Sequence, residues 1–345
     1  VVARLGIDAT SIAPNGKGIS RVQLGTVTAL RELGRHDLVV FARPDAPVAD
    51  AVRVTTNPAL AWEQRGLARA SREHGLDAML TWTERLPLAG GGRYLVWLFE
   101  PPTHRIRQNR AVGAGPYQRA SDLITLALWR RSLRRAELVL TGSDATARAL
   151  PPVGTPVRTL YPGLDPAFTP AAEERGGGPP YVLHLGSRDP RDDTPNALAA
   201  FALARERLPE GTVLRVPGGV DGPPAPGVEY LGRVSDSELV DLYRGAAVYL
   251  DTSLYEGFGY QVLEAMACAT PVVATAVTSI PELAEGVALL CPPGSPEALA
   301  DELVRVMTDA GLAADLRQRG LARARQFTWR RTAESLADAV DEVTS

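Results

Sequence analysis

Residues 253–275 read SLYEGFGYQVLEAMACATPVVAT, and this one phrase holds a loop, a helix, a stop and a strand. Gly257 and Gly259 bracket Phe258, so the backbone can fold tightly there and approach a ligand closely. Val262, Leu263, Met266 and Ala269 recur at helical spacing. Thr270-Pro271 ends that helix, because proline disfavours the helical conformation in the residue before it. Val272-Val273-Ala274 follows as a short apolar strand. The amides of Gly259, Tyr260 and Gln261 fall at the helix start, where N–H groups have no intrahelical partner and attract phosphate. Glu256 precedes the helix and Glu264 lies about two turns further on. Two carboxylates flanking a phosphate cradle suit a ligand with hydroxyls at both ends and a diphosphate between, as in a sugar nucleotide. The plainer reading is a solvated loop at Glu256 and a structural Glu264 that holds a neighbouring amide.

The whole phrase closely resembles the signature of the retaining GT-B glycosyltransferases of family 4, the glycosyl transferases group 1. Their members read roughly S-x-x-E-G-F-G-x-x-x-x-E-A-M-A-x-x-x-P-V-V. The resemblance implies an α/β fold of GT-B type, with two doubly wound Rossmann-like domains facing across a cleft and the donor in the C-terminal one. It implies a nucleoside diphosphate sugar (UDP-, GDP- or dTDP-linked) as substrate, with neither a cofactor nor a metal. The favoured family chemistry is front-face attack, the leaving phosphate helping to deprotonate the acceptor while the enzyme supplies positioning and electrostatics. By resemblance, Glu256 binds hydroxyls of the donor sugar at the catalytic position and Glu264 binds the ribose. The Gly259 and Tyr260 amides, in the loop with Gly257 and Phe258, bind the phosphate.

Length and composition agree with this outline. A chain of 345 residues exceeds the size at which a single core usually splits, so two domains are expected. Hydrophobic residues make up 45% and charged residues 22%, as in an ordinary globular protein. A net charge of −3 gives no global field for nucleic acid. No apolar run approaches the roughly 20 residues of a membrane span, and the opening VVARLGIDAT reads as a strand without signal-peptide architecture. Cys268 and Cys291 both sit in apolar segments and form no disulfide framework. These features lead to the expectation of a cytoplasmic protein.

Residues 3–9 read as a first strand, followed by a glycine loop and a helical pattern at Val22, Thr26, Ala29, Leu30 and Leu33. Strand, glycine loop and helix open a doubly wound domain. Gly18, Ile19 and Arg21 resemble the family's N-terminal G-I-x-R loop, which faces the donor phosphates. Lys17, the only lysine, and Arg21 would carry charge there, unless the loop is merely solvated. Further strands are read at 38–42, up to about 80, at 93–100 and at 137–141. Where many relatives read V-x-x-H-D, with the histidine near the reacting sugar, this chain has Phe99 and Glu100. His104 is the nearest substitute; the alternative is an exposed loop histidine. From Thr103 to Arg135 the chain holds Arg105, Arg107, Arg110, Arg119, Arg130, Arg131, Arg134 and Arg135 against one acid, Asp122. That excess fits an anionic acceptor, a partner or a peripheral membrane contact. It equally fits a solvated helix face whose arginine stems cover apolar surface.

LYPGLD at 160–165 resembles the phrase closing the family's N-terminal domain, and 166–180 has a linker's Pro/Gly/Ala composition. YVLHLGS at 181–187 opens a second α/β series. In relatives an arginine and a lysine of this turn grip the diphosphate. Gly186, Pro190 and Arg191 match, but Ser187 takes the arginine place and Asp192 the lysine place, leaving Arg188 and Arg191 to supply charge. An acid beside a diphosphate repels it by about a few kcal/mol unless screened or turned away. GRVSDSEL at 232–239 resembles the phrase whose backbone, around Val234, meets the nucleobase; Ser235 and Glu238 have capping-box spacing. The expected boundaries are an acceptor-side domain at 1–165, a linker at 166–180, a donor domain at 181–326, and a helix at 327–345 crossing back to the first domain. The expected activity is retaining transfer of a sugar to a small-molecule or glycan acceptor (natural product, polysaccharide or lipid-linked). Two alternatives stay open: a catalytically degenerate partner subunit, and another sugar-nucleotide reaction such as epimerisation.

Overall fold

The computed structural model describes the chain apart from residues 1, 15, 17, 58, 112–114, 173–177, 188, 220, 221 and 223, and apart from the side chains of 105, 108–111 and 117. It divides into two compact units, Val1–Gly163 with Phe327–Ser345, and Leu164–Gln326.

The first unit is built on a seven-stranded sheet of β1 (Arg4–Asp8), β2 (Asp37–Ala42), β3 (Val52–Arg53), β4 (Ala78–Thr81), β5 (Tyr94–Leu98), β6 (Ala136–Thr141) and β7 (Val157–Thr159). Every pairing is parallel and the order is β3-β2-β1-β4-β5-β6-β7. Strands covered on both faces read as unbroken apolar runs, and YLVWL in β5 is buried at every position. The edge strands β3 and β7 are short and partly exposed, so they carry no such run and the sequence reading passed over them. The order reverses between β1 and β4, which makes their carboxyl ends the switch point of this sheet. The C-terminal helix Trp329–Thr344 packs on the helix Ile19–Leu33. Trp329 fits because its neighbours are glycines: a Cβ at Gly25 or Gly163 would lie 2.3 Å from Trp329. Arg35 then pairs with Asp338 and Asp341 of the same helix.

The second unit repeats the plan with β8 (Tyr181–Leu183), β9 (Val213–Pro217), β10 (Val228–Gly232), β11 (Val248–Asp251), β12 (Val272–Thr275) and β13 (Leu289–Cys291). All are parallel, in the order β10-β9-β8-β11-β12-β13. Val182, Phe201, Leu214, Leu250, Val273 and Leu303 form its core. Each such side chain contributes about 1.5–3 kcal/mol when fully buried. The periodicity that reaches Ala269 overshoots: the helix is Tyr260–Ala267, and Ala269 turns left-handed at φ 58° before Pro271. Phe168 stacks edge-on against Tyr243 at 5.9 Å, and Thr169 accepts from Arg244 Nε at 2.7 Å through its carbonyl. The first part of the stretch read as a linker is therefore docked on this unit. Among the described residues, no helix is long and apolar enough to cross a membrane.

Candidate functional site

The second sheet reverses its order between β8 and β11, and the residues that follow these two strands build the site. β8 runs through His184 into Gly186. The Gly186 amide donates to Pro217 O at 3.0 Å, and Gly186 bridges Gly218. Only glycine fits at 218, where φ is 134° and a Cβ would lie 1.8 Å from Gly186 O. The turn then closes on itself. Ser187 donates its hydroxyl to Asp192, and the Asp189 amide donates to Ser187 Oγ at 2.9 Å. Arg191 holds Asp189 in a forked pair, with Nε at 2.9 Å and Nη2 at 2.6 Å from Oδ2. This pairing holds the Asp189 carboxyl below its ordinary range. Burial pushes Asp192 the other way, helped by the charges of Asp189 and Asp251.

β11 ends at Asp251, which accepts from the Ser253 amide at 3.0 Å and from Tyr249 Oη at 3.2 Å. The chain is then stitched to the first turn: Leu254 N–H donates to Arg191 O at 2.6 Å, and Thr252 Oγ1 donates to Asp192 O at 2.7 Å. Glu256 follows, its backbone clamped from both sides. Its amide donates to Thr278 Oγ1 at 2.9 Å, and its carbonyl accepts from Thr278 Oγ1 at 2.6 Å and Ser279 Oγ at 3.0 Å. Its carboxyl accepts from Ser253 Oγ at 3.1 Å. Burial, then the nearby charges of Asp251 and Asp192, push the Glu256 carboxyl up to about 8. This rise favours the protonated carboxyl, which can donate as well as accept.

Gly259 caps the helix Tyr260–Ala267 with φ 99° and brings no side chain of its own to the first turn. Phe258 is buried edge-on against Tyr260 at 4.9 Å, which anchors the Gly257–Gly259 loop. Glu264 is 6% exposed and accepts from Tyr243 Oη at 3.2 Å. Val234 is half-buried just before the helix Asp236–Gly245, whose capping box forms as its spacing predicts: Ser235 N–H donates to Glu238 Oε2 at 2.7 Å, and Glu238 N–H donates to Ser235 Oγ at 3.3 Å.

The second unit thus gathers Gly186, Arg191, Glu256, Glu264 and the Gly257–Tyr260 loop around the ends of β8 and β11. Three further residues escaped the sequence reading. His184 is buried, with Nδ1 3.1 Å from Leu250 O and Nε2 3.1 Å from Thr194 Oγ1, tying β8 to β11 and to the helix Thr194–Ala204. Burial keeps its imidazole below the ordinary range. Asp251 and Thr278 are the others. A histidine inside YVLHLGS and an acid closing VYLD were the signals available, since buried polar residues in strands need partners.

The remaining candidates lie in the first unit. Gly18 takes φ 56° at the start of the helix Ile19–Leu33, which contains Arg21. Lys17, like Arg188, lies outside the described residues. His104 is not a loop residue: it stands in the helix Pro102–Ala111, half-buried, and burial together with Arg107 lowers its pKa. Phe99 lies 5.3 Å from the ring of Trp97 and covers Gly142, where a Cβ would come within 2.5 Å of it. The residue that the sequence reading set at the family's histidine position is thus a half-buried ring packed on Trp97 and Gly142. Among the described residues, no group of three or more His, Cys, Asp or Glu side chains is placed to hold a metal ion.

Comparison with known proteins bears on the family and the fold. Residues 179–309 match the family model of glycosyl transferases group 1. O-antigen chain mannosyltransferase B of Escherichia coli is 34% identical over 165 residues, which is 43% of this chain and 42% of that protein. The chain spans about half the length of the curated relatives it matches first. Sucrose-phosphate synthase from Thermosynechococcus elongatus superposes with a TM-score of 0.75 at 20% identity, covering 99% of this chain and 98% of that one. Anabaena HepE in complex with UDP-glucose superposes with a TM-score of 0.72 at 17% identity, covering 99% and 100%. The fold is that of the GT-B glycosyltransferases, as the sequence resemblance implied.

Proposed function

We propose that this chain, whose second unit carries a glycosyl transferases group 1 domain, is a retaining glycosyltransferase that takes its sugar from a nucleoside diphosphate donor. The observation that carries this reading is a pair of carboxyls, the half-buried Glu256 and the buried Glu264, on either side of a glycine-started helix. Glu256 precedes Gly259 and Glu264 follows it. A helix start of this kind receives phosphate. Glu264 then meets the ribose hydroxyls with its orientation fixed by Tyr243, and Glu256 meets hydroxyls of the sugar with its backbone fixed by Thr278 and Ser279. Val234 borders the base. A proton on Glu256 also lowers the negative charge that the diphosphate meets, which matters because Asp192 and Asp251 are its neighbours. Retention follows from front-face attack, in which the leaving phosphate takes the acceptor proton and the enzyme contributes alignment and electrostatic support. The acceptor in this reading is a small molecule or glycan.

HepE was solved with UDP-glucose, so a UDP-sugar is the first probe, beside GDP- and dTDP-sugars. A true donor at 100 times its Kd stabilises the folded chain by about 2.7 kcal/mol. The melting temperature should therefore rise with sugars of one base and not with the others. NMR of the transfer product should show the anomeric configuration of the donor; an inverted product contradicts retention. A second reading rests on one observation, the Ser187–Asp192 pair at the place where relatives grip phosphate. It makes the chain a partner subunit without transfer activity. A melting temperature unmoved by every sugar nucleotide would favour it.

A further inference from the structure

The helix Pro116–Leu133 turns one face into the first unit and leaves the other bare. Asp122, Thr125, Trp129, Ser132 and Leu133 are buried and recur at helical spacing. Arg85 Nη1 donates to Ser121 Oγ at 2.9 Å and Ser132 Oγ donates to Leu86 O at 3.2 Å, so this face is fixed. The opposite face mixes exposed apolar side chains with exposed arginines. Leu123 is 60% exposed, Leu126 37% and Ile124 36%, so three of the ten exposed large apolar side chains of the described protein fall between positions 123 and 126. Arg119, Arg130, Arg131 and Arg134 are exposed around them. Among the described residues none of these four forms an ion pair. The one acid of the helix, Asp122, is on the buried face and accepts from Gln118 Nε2 at 2.9 Å. Arg107, on the packed neighbouring helix Pro102–Ala111, is exposed as well.

We infer that this face docks on an anionic lipid bilayer surface, with Leu123, Ile124 and Leu126 entering the acyl boundary and the arginines meeting the headgroups. The two halves of the pattern select this occupant together. A purely polyanionic partner gains nothing from the exposed leucines. A zwitterionic surface gains little from the arginines. A second copy of the same face would set arginine against arginine. A helix that lies in the interface needs an apolar face and flanking cations, and no spanning segment.

The test is co-sedimentation of the full chain with vesicles of phosphatidylcholine mixed with phosphatidylglycerol, and with vesicles of phosphatidylcholine alone. The chain should sediment with the first and far less with the second. Arg130→Gln with Arg131→Gln should weaken binding by about five-fold per arginine at low salt, and that difference should shrink at high salt. Leu123→Gln with Ile124→Gln should weaken binding at both salt concentrations. All four side chains are exposed, so both variants should melt like the parent. Failure of the parent to sediment with anionic vesicles overturns the inference, and so does unchanged sedimentation of both variants. Light scattering that shows a dimer split by the Leu123→Gln, Ile124→Gln change, without vesicle binding, would assign the face to a second copy and also overturn it. Vesicle binding does not depend on the donor site, so this result stands apart from the transfer reading.

Discussion

The two sheets of this protein share one strand order and one switch point, yet their switch points are chemically opposite. In the first unit Asp8 ends β1 and its carboxylate is fully engaged. Oδ1 accepts from Thr10 Oγ1 at 2.7 Å and Trp62 Nε1 at 3.2 Å, and Oδ2 accepts from Thr81 Oγ1 at 2.8 Å. The acid joins β1 to β4 and to the π-helical turn Trp62–Gly66. In the second unit Asp192, Asp251 and Glu256 lie close together, and burial with the neighbouring charges pushes the Glu256 carboxyl up to about 8; burial raises Asp8 too, but its three donors oppose that rise. Topology fixes where a ligand can sit. Three side-chain donors close the first switch point around one acid; the second is the one that the proposed function gives to the ligand.

The largest effect expected from this comparison is on folding. Gly218→Ala places a Cβ 1.8 Å from Gly186 O at a φ of 134°, and should destabilise the second unit by more than about 3 kcal/mol. Gly34→Ala, left-handed at φ 62° and ψ 21° with its nearest neighbour 4.0 Å away, should cost only about 1–2 kcal/mol. Denaturant unfolding of both variants measures the difference. Equal costs would mean that the glycine turn after β8 is not held as described.

That contrast also shows how much the sequence disclosed. The phrase at 253–275 disclosed a glycine loop, a helix and the strand after it, because glycines, a proline and helical periodicity act locally. Long apolar runs disclosed the central strands in the same way. The short edges β3 and β7 did not show, since their pairing depends on neighbours far along the chain. Nor did the sequence show that Arg191 is engaged by Asp189, that Asp192 accepts from Ser187, or that His184 links β8 to β11. The first two are contacts inside one irregular turn and the third joins two strands, and no spacing rule encodes them.

A smaller effect is expected on affinity. Asp192→Lys removes a carboxylate next to Glu256 and sets a cation at the place where relatives have one. If the second switch point holds the diphosphate, donor affinity should tighten by about ten-fold, near the value of one charge-assisted hydrogen bond. Calorimetry with the donor found by melting would show it. A loss of affinity would mean that the Ser187–Asp192 pair is needed for the turn.

A further effect is expected on pH dependence. The Glu256 carboxyl rises from 4.5 in the unfolded chain to about 8 when folded, so between those values the folded chain holds a proton that the unfolded chain has released. This group's contribution to stability therefore falls as pH climbs from about 4.5 to 8. Glu256→Gln removes that slope, and its stability relative to the parent should increase across the window. Parallel stability curves would show that Glu256 titrates normally.

The central claim is that the helix start at Gly259 and the carboxylates on either side of it hold a sugar nucleotide. Titration calorimetry of the parent and of Glu264→Gln, each with the bare nucleoside diphosphate and with its sugar conjugate, tests this most directly. Loss of one charge-assisted bond of about 1.5–3 kcal/mol should weaken both ligands alike, by roughly ten- to a hundred-fold, because the ribose is common to them. Unchanged affinity of Glu264→Gln for both ligands would contradict the claim.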